Sequence, residues 1–234
     1  MIQPETEAER IAARYAKRTL CGLNDRYAYI EPAAYMAVQE RERAMVRWIR
    51  SCGIRPVQDR KVLEIGCGSG VNLLWFLRAG FSPENLVANE LLPDRASIAR
   101  NNLPAGCELL VSDALDLDLP EDGFDIVVQA TVFSSILDNG FQTELAARMW
   151  RWVKPGGGVL WYDFVYDNPW NPDVRGMGLQ SIRRLFPNAP MRYWRVTLAP
   201  PISRIVTRVH PFLYTVFNTV PALRTHVLAW IHKD

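Results

Sequence analysis

Apolar and polar positions follow two different periods along the chain, and these periods predict helices and strands in turn. Short apolar runs are typical of buried strands, whereas apolar residues three, four and seven positions apart indicate one face of a helix. The predicted helices are residues 5–20, 33–52, Val71–Arg78, Pro93–Asn101, Thr143–Trp152 and Ser181–Phe186. The predicted strands are Lys61–Ile65, Leu86–Asn89, Glu108–Ser112, Phe124–Ala130, Val159–Phe164, Met191–Leu198 and Thr225–His232.

The order of these elements predicts the fold class. Strands and helices alternate from residue 61 to residue 164, and the strands are nearly all apolar. This is the pattern of a parallel sheet covered by helices on both faces. We therefore expect an α/β, Rossmann-like three-layer sandwich over residues 55–234, preceded by an N-terminal helical lid of residues 1–54. Residues 199–221 have helical spacing broken by Pro211 and Pro221, which predicts a helical insert over the functional site.

Composition narrows the class of protein. The chain has 234 residues, 49% of them hydrophobic, which suits one α/β domain with additions. Its four cysteines are widely spaced without a CxxC pair, so we expect reduced thiols and no disulfide framework or metal site. No apolar run reaches the roughly 20 residues that a membrane span needs, and the polar start does not resemble a signal peptide. We therefore expect a cytoplasmic protein.

Charge is unevenly distributed along the chain. Residues 1–61 carry 12 Lys/Arg and 8 Asp/Glu, residues 62–173 carry 6 and 16, and residues 174–234 carry 9 and 1. The basic last third favours an anionic partner, such as a phosphate-bearing small molecule or a membrane surface. It lacks a Lys/Arg-rich tract with interleaved aromatics, so we expect no nucleic-acid partner. A solvated basic surface that balances the acidic middle remains the alternative.

A glycine cluster follows the first predicted strand, in VLEIGCGSG at residues 62–70. Glycine permits a positive φ and the close approach of a ligand, and ligands of such sheets bind beyond the carboxyl ends of the strands. The G-x-G-x-G spacing of Gly66, Gly68 and Gly70 differs from the dinucleotide fingerprint, and no P-loop lysine follows. Glu64 precedes the loop, where an acid repels a diphosphate and favours a cation.

Two further acids stand at the ends of the next predicted strands. Glu90 lies about 20 residues past the glycines, where a carboxylate accepts ribose hydroxyls. Asp113 follows the third strand, where it can accept the adenine amino group while the backbone of Ala114 meets a ring nitrogen. Acids for a nucleoside and for a cationic tail together fit S-adenosyl-L-methionine, with S-adenosyl-L-homocysteine as the product.

The ordered elements VLEIGCGSG, Glu90, SDAL, FDIVVQ and KPGGGVL resemble those of class I S-adenosylmethionine-dependent methyltransferases, over residues 55–165. The resemblance implies a seven-stranded sheet whose last strand, Thr225–His232, is antiparallel. It also implies that Gln129 lies near the methionyl ammonium. The expected cofactor-binding residues are Glu64, Gly66, Cys67, Gly68, Gly70, Asn72, Glu90, Leu91, Asp113, Ala114 and Gln129.

The acceptor is expected near the ends of the fourth and fifth strands. Polar amides among aromatics in residues 161–176 favour a sugar, and the expected substrate-binding residues are Tyr27, Asn168, Asn171 and Arg175. Alternatively, prolines fix the conformation of this loop and its aromatic side chains pack under the insert. This interpretation explains the same residues equally well. A hydroxyl acceptor needs a general base, for which the candidates are Asp163 and His210. Tyr15, Arg18 and Tyr27 are candidate lid residues.

The sequence therefore predicts O-methylation of a sugar or glycan-type small molecule. Methylation of a lipid or a quinone-type ring is the second enzymatic hypothesis, and a non-catalytic S-adenosylmethionine-binding module is the third. The apolar insert at residues 199–221, with interspersed arginines, is compatible with a lipid-linked or phosphate-bearing acceptor, an anionic membrane, a cap over the site or a contact between chains.

Overall fold

A computed structural model describes residues 6–20, 28–169 and 171–234, with residues 18–20 described in their backbone alone. The strands within these ranges are β1 (Val62–Ile65), β2 (Leu86–Glu90), β3 (Glu108–Val111), β4 (Phe124–Ala130), β5 (Val153–Phe164), β6 (Met191–Leu198) and β7 (Arg224–His232). They form one sheet in the order β3-β2-β1-β4-β5-β7-β6. Strand β7 is antiparallel to both β5 and β6, and the other pairs are parallel. The predicted fold class is confirmed.

Helices cover both faces of the sheet. They are α1 (Glu7–Leu20), α2 (Pro32–Ser51), α3 (Val71–Arg78), α4 (Pro93–Asn102), α5 (Asn139–Trp152), α6 (Leu179–Leu185), α7 (Pro200–Val209) and α8 (Phe212–Phe217). Buried residues of α2, α3 and α4 form one core with the first face. Buried residues of α5 and α6 form a second core with the opposite face. The apolar strands are buried on both faces because each face has its own helical layer.

Two element boundaries differ from the sequence prediction by four residues or more, and each has a local cause. Helix α5 begins at Asn139 because the Asp138 side chain caps it, accepting a hydrogen bond from the Phe141 N–H at 2.9 Å. Strand β5 begins at Val153, which pairs with Phe124, and a register shift between Phe124 and Ile126 accommodates the extra residues. The glycine-rich segment after Lys154 therefore lies within the strand instead of ending the preceding helix.

The two helices of the predicted lid, residues 1–54, occupy different positions. Trp48 of α2 is fully buried, and its ring centroid lies 6.4 Å from that of Phe76 and 5.2 Å from that of Trp230. Helix α2 is thus part of the helical layer on the sheet. Helix α1 lies at the carboxyl edge of the sheet, where the Glu7 carboxylate accepts a hydrogen bond from the Leu137 N–H at 3.0 Å.

The predicted insert forms two helices, α7 and α8, between β6 and β7. Val206 and Tyr214 pack in a small core with Leu198 of β6 and the side chains of Met36 and Ala37 from α2. Glu40 of α2 ties this unit to the sheet, because its carboxylate accepts hydrogen bonds from the Thr197 N–H at 2.8 Å and the Tyr214 hydroxyl at 2.9 Å. Among the described residues, no helix has both the length and the apolar character needed to cross a bilayer.

Candidate functional site

A cleft that is open to solvent lies at the carboxyl edge of β1, β2 and β4. This is the edge where ligands bind in sheets of this kind. The sheet, α1 and α5 all contribute to its walls. Its described lining residues are Ile11, Tyr15, Ile65, Gly66, Asn89, Glu90, Leu91, Leu92, Arg95, Asp113, Ala114, Ala130, Thr131, Val132, Ser135, Ile136, Phe141 and Leu145.

The glycine loop forms one wall of the cleft through Gly66. Gly66 has a φ of +64°, and a Cβ added to it would lie 2.6 Å from Cγ2 of Val132. Gly68 has a φ of +60°, and its added Cβ would lie 2.8 Å from Nη2 of Arg95. The positive φ favours glycine at both positions. At Gly66 the lack of space beside Val132 requires it as well, whereas at Gly68 the flexible Arg95 side chain could move aside.

Glu90 is held rigidly at the end of β2. Its side chain is buried, with Oε2 accepting a hydrogen bond from the Gly68 N–H at 2.8 Å and Oε1 accepting one from the Leu92 N–H at 2.9 Å. A carboxylate oxygen has a second acceptor position. Glu90 thus fixes the glycine loop and retains the capacity to accept ligand hydroxyls.

Asp113 and Ala114 line the cleft at the end of β3. Asp113 caps a short 3-10 turn by accepting a hydrogen bond from the Leu115 N–H at 2.9 Å. Burial raises the pKa of the Asp113 carboxyl above its usual value. The apolar side chains that face this end of the cleft, Ile136, Phe141 and Leu145, suit a flat aromatic ring.

Glu64 is fully buried beneath the glycine loop and does not belong to the described cleft lining. Its Oε1 accepts a hydrogen bond from Asn72 Nδ2 at 2.6 Å, while Oε2 has no hydrogen-bond partner in the described part of the chain. Burial raises the pKa of Glu64 to about 7, against the opposing effects of Asn72 and the nearby Arg41 guanidinium. Glu64 and Asn72 thus support the loop from below.

Three further predicted cofactor residues also lie behind the cleft lining. The Cys67 N–H donates to the Asn89 carbonyl at 2.8 Å, and Gly70 begins α3 with a φ of +80°. Gln129 is fully buried, with Nε2 donating to the Tyr162 carbonyl at 3.3 Å and Oε1 accepting from the Val132 N–H at 3.1 Å. These contacts position the backbone around the cleft.

Asp163 supports the loop that follows β4. Its carboxyl group is fully buried and accepts hydrogen bonds from the Ser134 N–H at 3.1 Å and the Phe164 N–H at 2.9 Å. Burial raises its pKa to about 7. In the same loop Thr131 has a φ of +59°, an uncommon conformation for a β-branched residue. Its N–H donates to the Tyr162 carbonyl at 2.8 Å, which holds this conformation beside the cleft.

Helices α1 and α4 both contribute residues to the cleft, and the sequence predicted only some of these residues. The Arg95 guanidinium lies 4.9 Å from the ring centroid of Tyr15, so α4 and α1 meet over the glycine loop. Arg14 donates to Glu7 at 2.7 Å and to the Ser135 carbonyl at 2.9 Å, which docks α1 on the loop after β4. Tyr15 was a candidate from the sequence; Arg95 was not, because nothing local distinguishes it from other helix-surface arginines.

The chain matches one protein family, described as "Methyltransferase domain", over residues 62–157. This range contains the glycine loop, Glu90 and Asp113. Residues 62–157 therefore form a methyltransferase domain. A methyltransferase of this fold implies S-adenosylmethionine as the cofactor.

Individual relatives agree on the class of enzyme and differ in their acceptors. A fatty-acid O-methyltransferase of Mycolicibacterium smegmatis is 29% identical over 228 residues, covering 91% of this chain and 80% of that protein. A protein arginine N-methyltransferase of Arabidopsis thaliana is 29% identical over 102 residues, covering 43% of this chain and 26% of that protein. The crystal structure of a methyltransferase from Archaeoglobus fulgidus shares the fold, with a TM-score of 0.56 at 14% identity over 81% of this chain and 94% of that one.

The predicted acceptor residues of this methyltransferase do not line the described cleft. Asn168 is exposed, and Asn171 accepts a hydrogen bond from the Asp173 N–H at 3.1 Å within its own loop. Arg175 is bound to the loop after β4, with its N–H donating to the Ser134 carbonyl at 2.8 Å and its guanidinium to Asn139 at 2.7 Å. Tyr27 lies outside the described residues, as does the side chain of Arg18.

Neither predicted general base of the methyltransferase contacts the described cleft. Asp163 is fully buried among hydrogen-bond donors, as described above. His210 is exposed at the end of α7, where its Nδ1 accepts a hydrogen bond from the Phe212 N–H at 3.2 Å. Their roles as bases remain predictions.

Proposed function

We propose that this methyltransferase binds S-adenosylmethionine in the cleft and transfers its methyl group to the carboxylate of a lipid-type acid. The observation that carries the proposal is the cleft itself: a glycine loop and the carboxylates of Glu90 and Asp113 at the carboxyl edge of the sheet, with no histidine or lysine among the described lining residues.

The chemistry of the cleft fits the cofactor. S-adenosylmethionine combines an adenosine, which offers hydroxyls and an aromatic ring, with a sulfonium and an ammonium. Glu90 would accept the ribose hydroxyls, Asp113 and Ala114 would meet the adenine, and the backbone of the glycine loop at Gly66 would lie beside the methionyl part. The apolar residues Ile136, Phe141 and Leu145 would cover the ring. The donor supplies an electrophilic methyl group whose bond to sulfur breaks as the acceptor oxygen attacks.

A carboxylate acceptor is favoured because it needs no base. A hydroxyl must lose its proton during transfer, whereas an ionised carboxylate already holds the attacking electron pair. The described lining contains no histidine and no lysine. We assign its carboxylates, Glu90 and Asp113, to the adenosine. The enzyme's contribution would then be to exclude water and to hold oxygen, carbon and sulfur in line, which is worth about 7–11 kcal/mol in oriented reactions.

A lipid is favoured among carboxylate-bearing acceptors by two independent observations. The relative whose match extends over 91% of this chain is a fatty-acid O-methyltransferase. The α7–α8 insert exposes apolar side chains at the carboxyl edge of β6, and insertions at this edge lie beside the expected acceptor position.

A sugar acceptor is the second candidate, supported by the amides and aromatics of residues 161–176. Its support is weaker than the sequence suggests, because Asp167 accepts a hydrogen bond from the Gly176 N–H at 2.8 Å and Tyr166 accepts one from Arg195 at 2.8 Å. These side chains hold the loop together.

The test is methyl transfer by the full chain from methyl-labelled S-adenosylmethionine. A long-chain free fatty acid, the corresponding fatty alcohol and a monosaccharide are offered in parallel, and both S-adenosylhomocysteine and the labelled product are measured. We expect a labelled methyl ester from the acid and no labelled product from the alcohol or the sugar, since these two require a base.

Each alternative has its own signature in this assay. A labelled sugar ether would overturn the lipid assignment and favour the second candidate. Cofactor binding without S-adenosylhomocysteine release from any of the three acceptors would contradict methyl transfer to carboxylates and favour the non-catalytic binding module.

A further inference from the structure

In the described part of the chain, helix α7 packs through one face and exposes large apolar side chains on another. Its inner face is buried through Ser203, Val206 and Thr207. On the outer face Ile205 is 65% exposed and Val209 is 76% exposed. A surface helix ordinarily has polar residues opposite its core-facing stripe, so the outer face of α7 has the composition of a contact surface.

The same surface continues into α8. Phe212 is 63% exposed, and Val216, Phe217 and Val220 are also exposed. On the inner side of this short helix Tyr214 is buried and Leu213 is partly buried. We refer to the exposed apolar side chains Ile205, Val209, Phe212, Val216, Phe217 and Val220 as the α7–α8 surface. Contiguous exposed apolar side chains of this kind mark sites of protein or membrane contact.

Positive charge lies directly beside this surface. Arg204 and Arg208 are four residues apart on α7 and therefore form a row next to the row of Ile205 and Val209. Neither arginine has a hydrogen-bonding or ion-pairing partner among the residues that the structure describes. No Asp or Glu occurs from residue 174 to residue 233.

We propose that the α7–α8 surface docks this enzyme on an anionic lipid bilayer. The apolar side chains would enter the boundary between headgroups and acyl chains, and Arg204 and Arg208 would meet the lipid phosphates. A helix with bulky apolar residues on one side and arginines along its flank binds bilayers in this orientation, in the plane of the surface.

The positive charge beside the α7–α8 surface favours a bilayer over a second copy of the chain as the partner that covers this surface. A two-fold contact brings the same patch of both copies together, which would place Arg204 and Arg208 opposite their own counterparts without an acid to pair with them. An anionic leaflet supplies the missing negative charge, and each basic residue near such a surface favours binding by about fivefold. The proposal goes beyond the proposed function, because docking needs neither cofactor nor acceptor.

The test is sedimentation of the full chain with vesicles, without methyl donor. Vesicles of phosphatidylcholine alone are compared with vesicles that also contain phosphatidylglycerol. We expect binding to the anionic vesicles that weakens as salt is added. Ile205→Asp and Phe212→Asp should each reduce this binding at least about tenfold. Each substitution puts a charge in place of a large apolar side chain that the bilayer would bury.

Matched controls come from α4, which lies far from the insert along the chain. Ile98 is also exposed, at 51%, so Ile98→Asp should bind vesicles like the unmodified chain. Arg204→Gln and Arg208→Gln should each weaken binding about fivefold, whereas Arg100→Gln on α4 should not. These side chains are partly or fully exposed, so thermal unfolding is expected to show all variants folded.

Three results would overturn the proposal. The first is no sedimentation with either vesicle type, and the second is equal loss of binding in Phe212→Asp and Ile98→Asp. The third is a dimer, measured by light scattering, that Phe212→Asp dissociates while vesicle binding is absent, because the surface would then serve a second copy. Failure here leaves the methyl-transfer assay unaffected, so the two proposals are distinguishable.

Discussion

At the scale of single residues, Asp163 shows how burial changes the role of a carboxyl group. Its position at the end of a strand suggested a general base. In the structure the side chain is fully buried and accepts hydrogen bonds from Ser134 and Phe164, with a pKa raised to about 7. A carboxyl in this position acts on the cleft through the loop after β4, which contains the lining residues Thr131 and Val132.

Asp163→Asn tests this position through the pH dependence of stability. Burial raises the pKa of Asp163 from 3.8 to about 7 in the folded state. As the pH rises, the carboxyl group therefore ionises in the unfolded chain before it ionises in the folded chain. The contribution of Asp163 to the free energy of unfolding is present below pH 3.8 and is lost as the pH rises to about 7. An amide does not ionise. The free energy of unfolding of the variant, relative to the unmodified chain, should therefore rise by about 4 kcal/mol between pH 4 and pH 8.

Urea unfolding at several pH values measures this difference. Asp118→Asn, at an exposed acid, is the control and should give a nearly constant difference. A constant difference for Asp163→Asn as well would mean that the carboxyl is solvated and free to act as a base. Methyl transfer by the folded variant gives a second readout, because replacement of a true base would abolish transfer without weakening cofactor binding.

At the scale of elements, the glycine loop and the loop after β4 pack directly against each other beside the cleft. Glycine at position 66 permits this contact, because a Cβ there would lie 2.6 Å from Cγ2 of Val132. The sequence predicted the glycine side, since clustered glycines after an apolar strand are a local signal. It did not predict the other side, because the positive φ of Thr131 is imposed by a hydrogen bond to Tyr162, which lies 31 residues later in the chain.

Gly66→Ala separates the two reasons for glycine at this position. The added methyl group strains the backbone and also pushes Val132 into the cleft, so we expect lower stability together with loss of S-adenosylmethionine binding. The matched control is Gly53→Ala, where φ is +66° and no atom lies within 4 Å of the added Cβ. That control should cost about 1–3 kcal/mol of stability from strain and leave binding unchanged.

Calorimetric titration of both variants with S-adenosylmethionine checks this expectation. Unchanged affinity in Gly66→Ala would mean that the contact between Gly66 and Val132 does not shape the cofactor site. Equal loss of affinity in both variants would assign the effect to instability alone.

At the scale of the whole molecule, the sequence predicted the fold well because the fold depends on local periodicity. Helix Val71–Arg78 and strands Phe124–Ala130 and Met191–Leu198 have the predicted bounds. Placement of α1 could not be predicted, because it depends on contacts between Glu7 and Leu137 that are 130 residues apart. The positions of Asn171 and Arg175 likewise depend on hydrogen bonds that cannot be predicted from a sequence pattern.

The residues that line the cleft were predicted in part, because some of their positions follow from local sequence patterns. Gly66, Glu90, Leu91, Asp113 and Ala114 line it because they lie at strand ends, whose location follows from the strands themselves. The other predicted residues lie close in sequence to that edge but are not among the described lining residues: Glu64, Cys67, Gly68, Gly70, Asn72 and Gln129. Adjacency in sequence placed them near the cleft; the direction of each side chain depends on packing.

The central claim is that a rigid acid at the end of β2 binds the adenosine of S-adenosylmethionine. Isothermal titration of the unmodified chain, Glu90→Gln and the exposed-acid control Glu121→Gln tests it most directly, with thermal unfolding to verify that each protein is folded. Loss of one charge-assisted hydrogen bond should weaken binding about 10- to 100-fold in Glu90→Gln and leave Glu121→Gln unchanged. Undiminished affinity in folded Glu90→Gln, or no binding by the unmodified chain, would contradict the account.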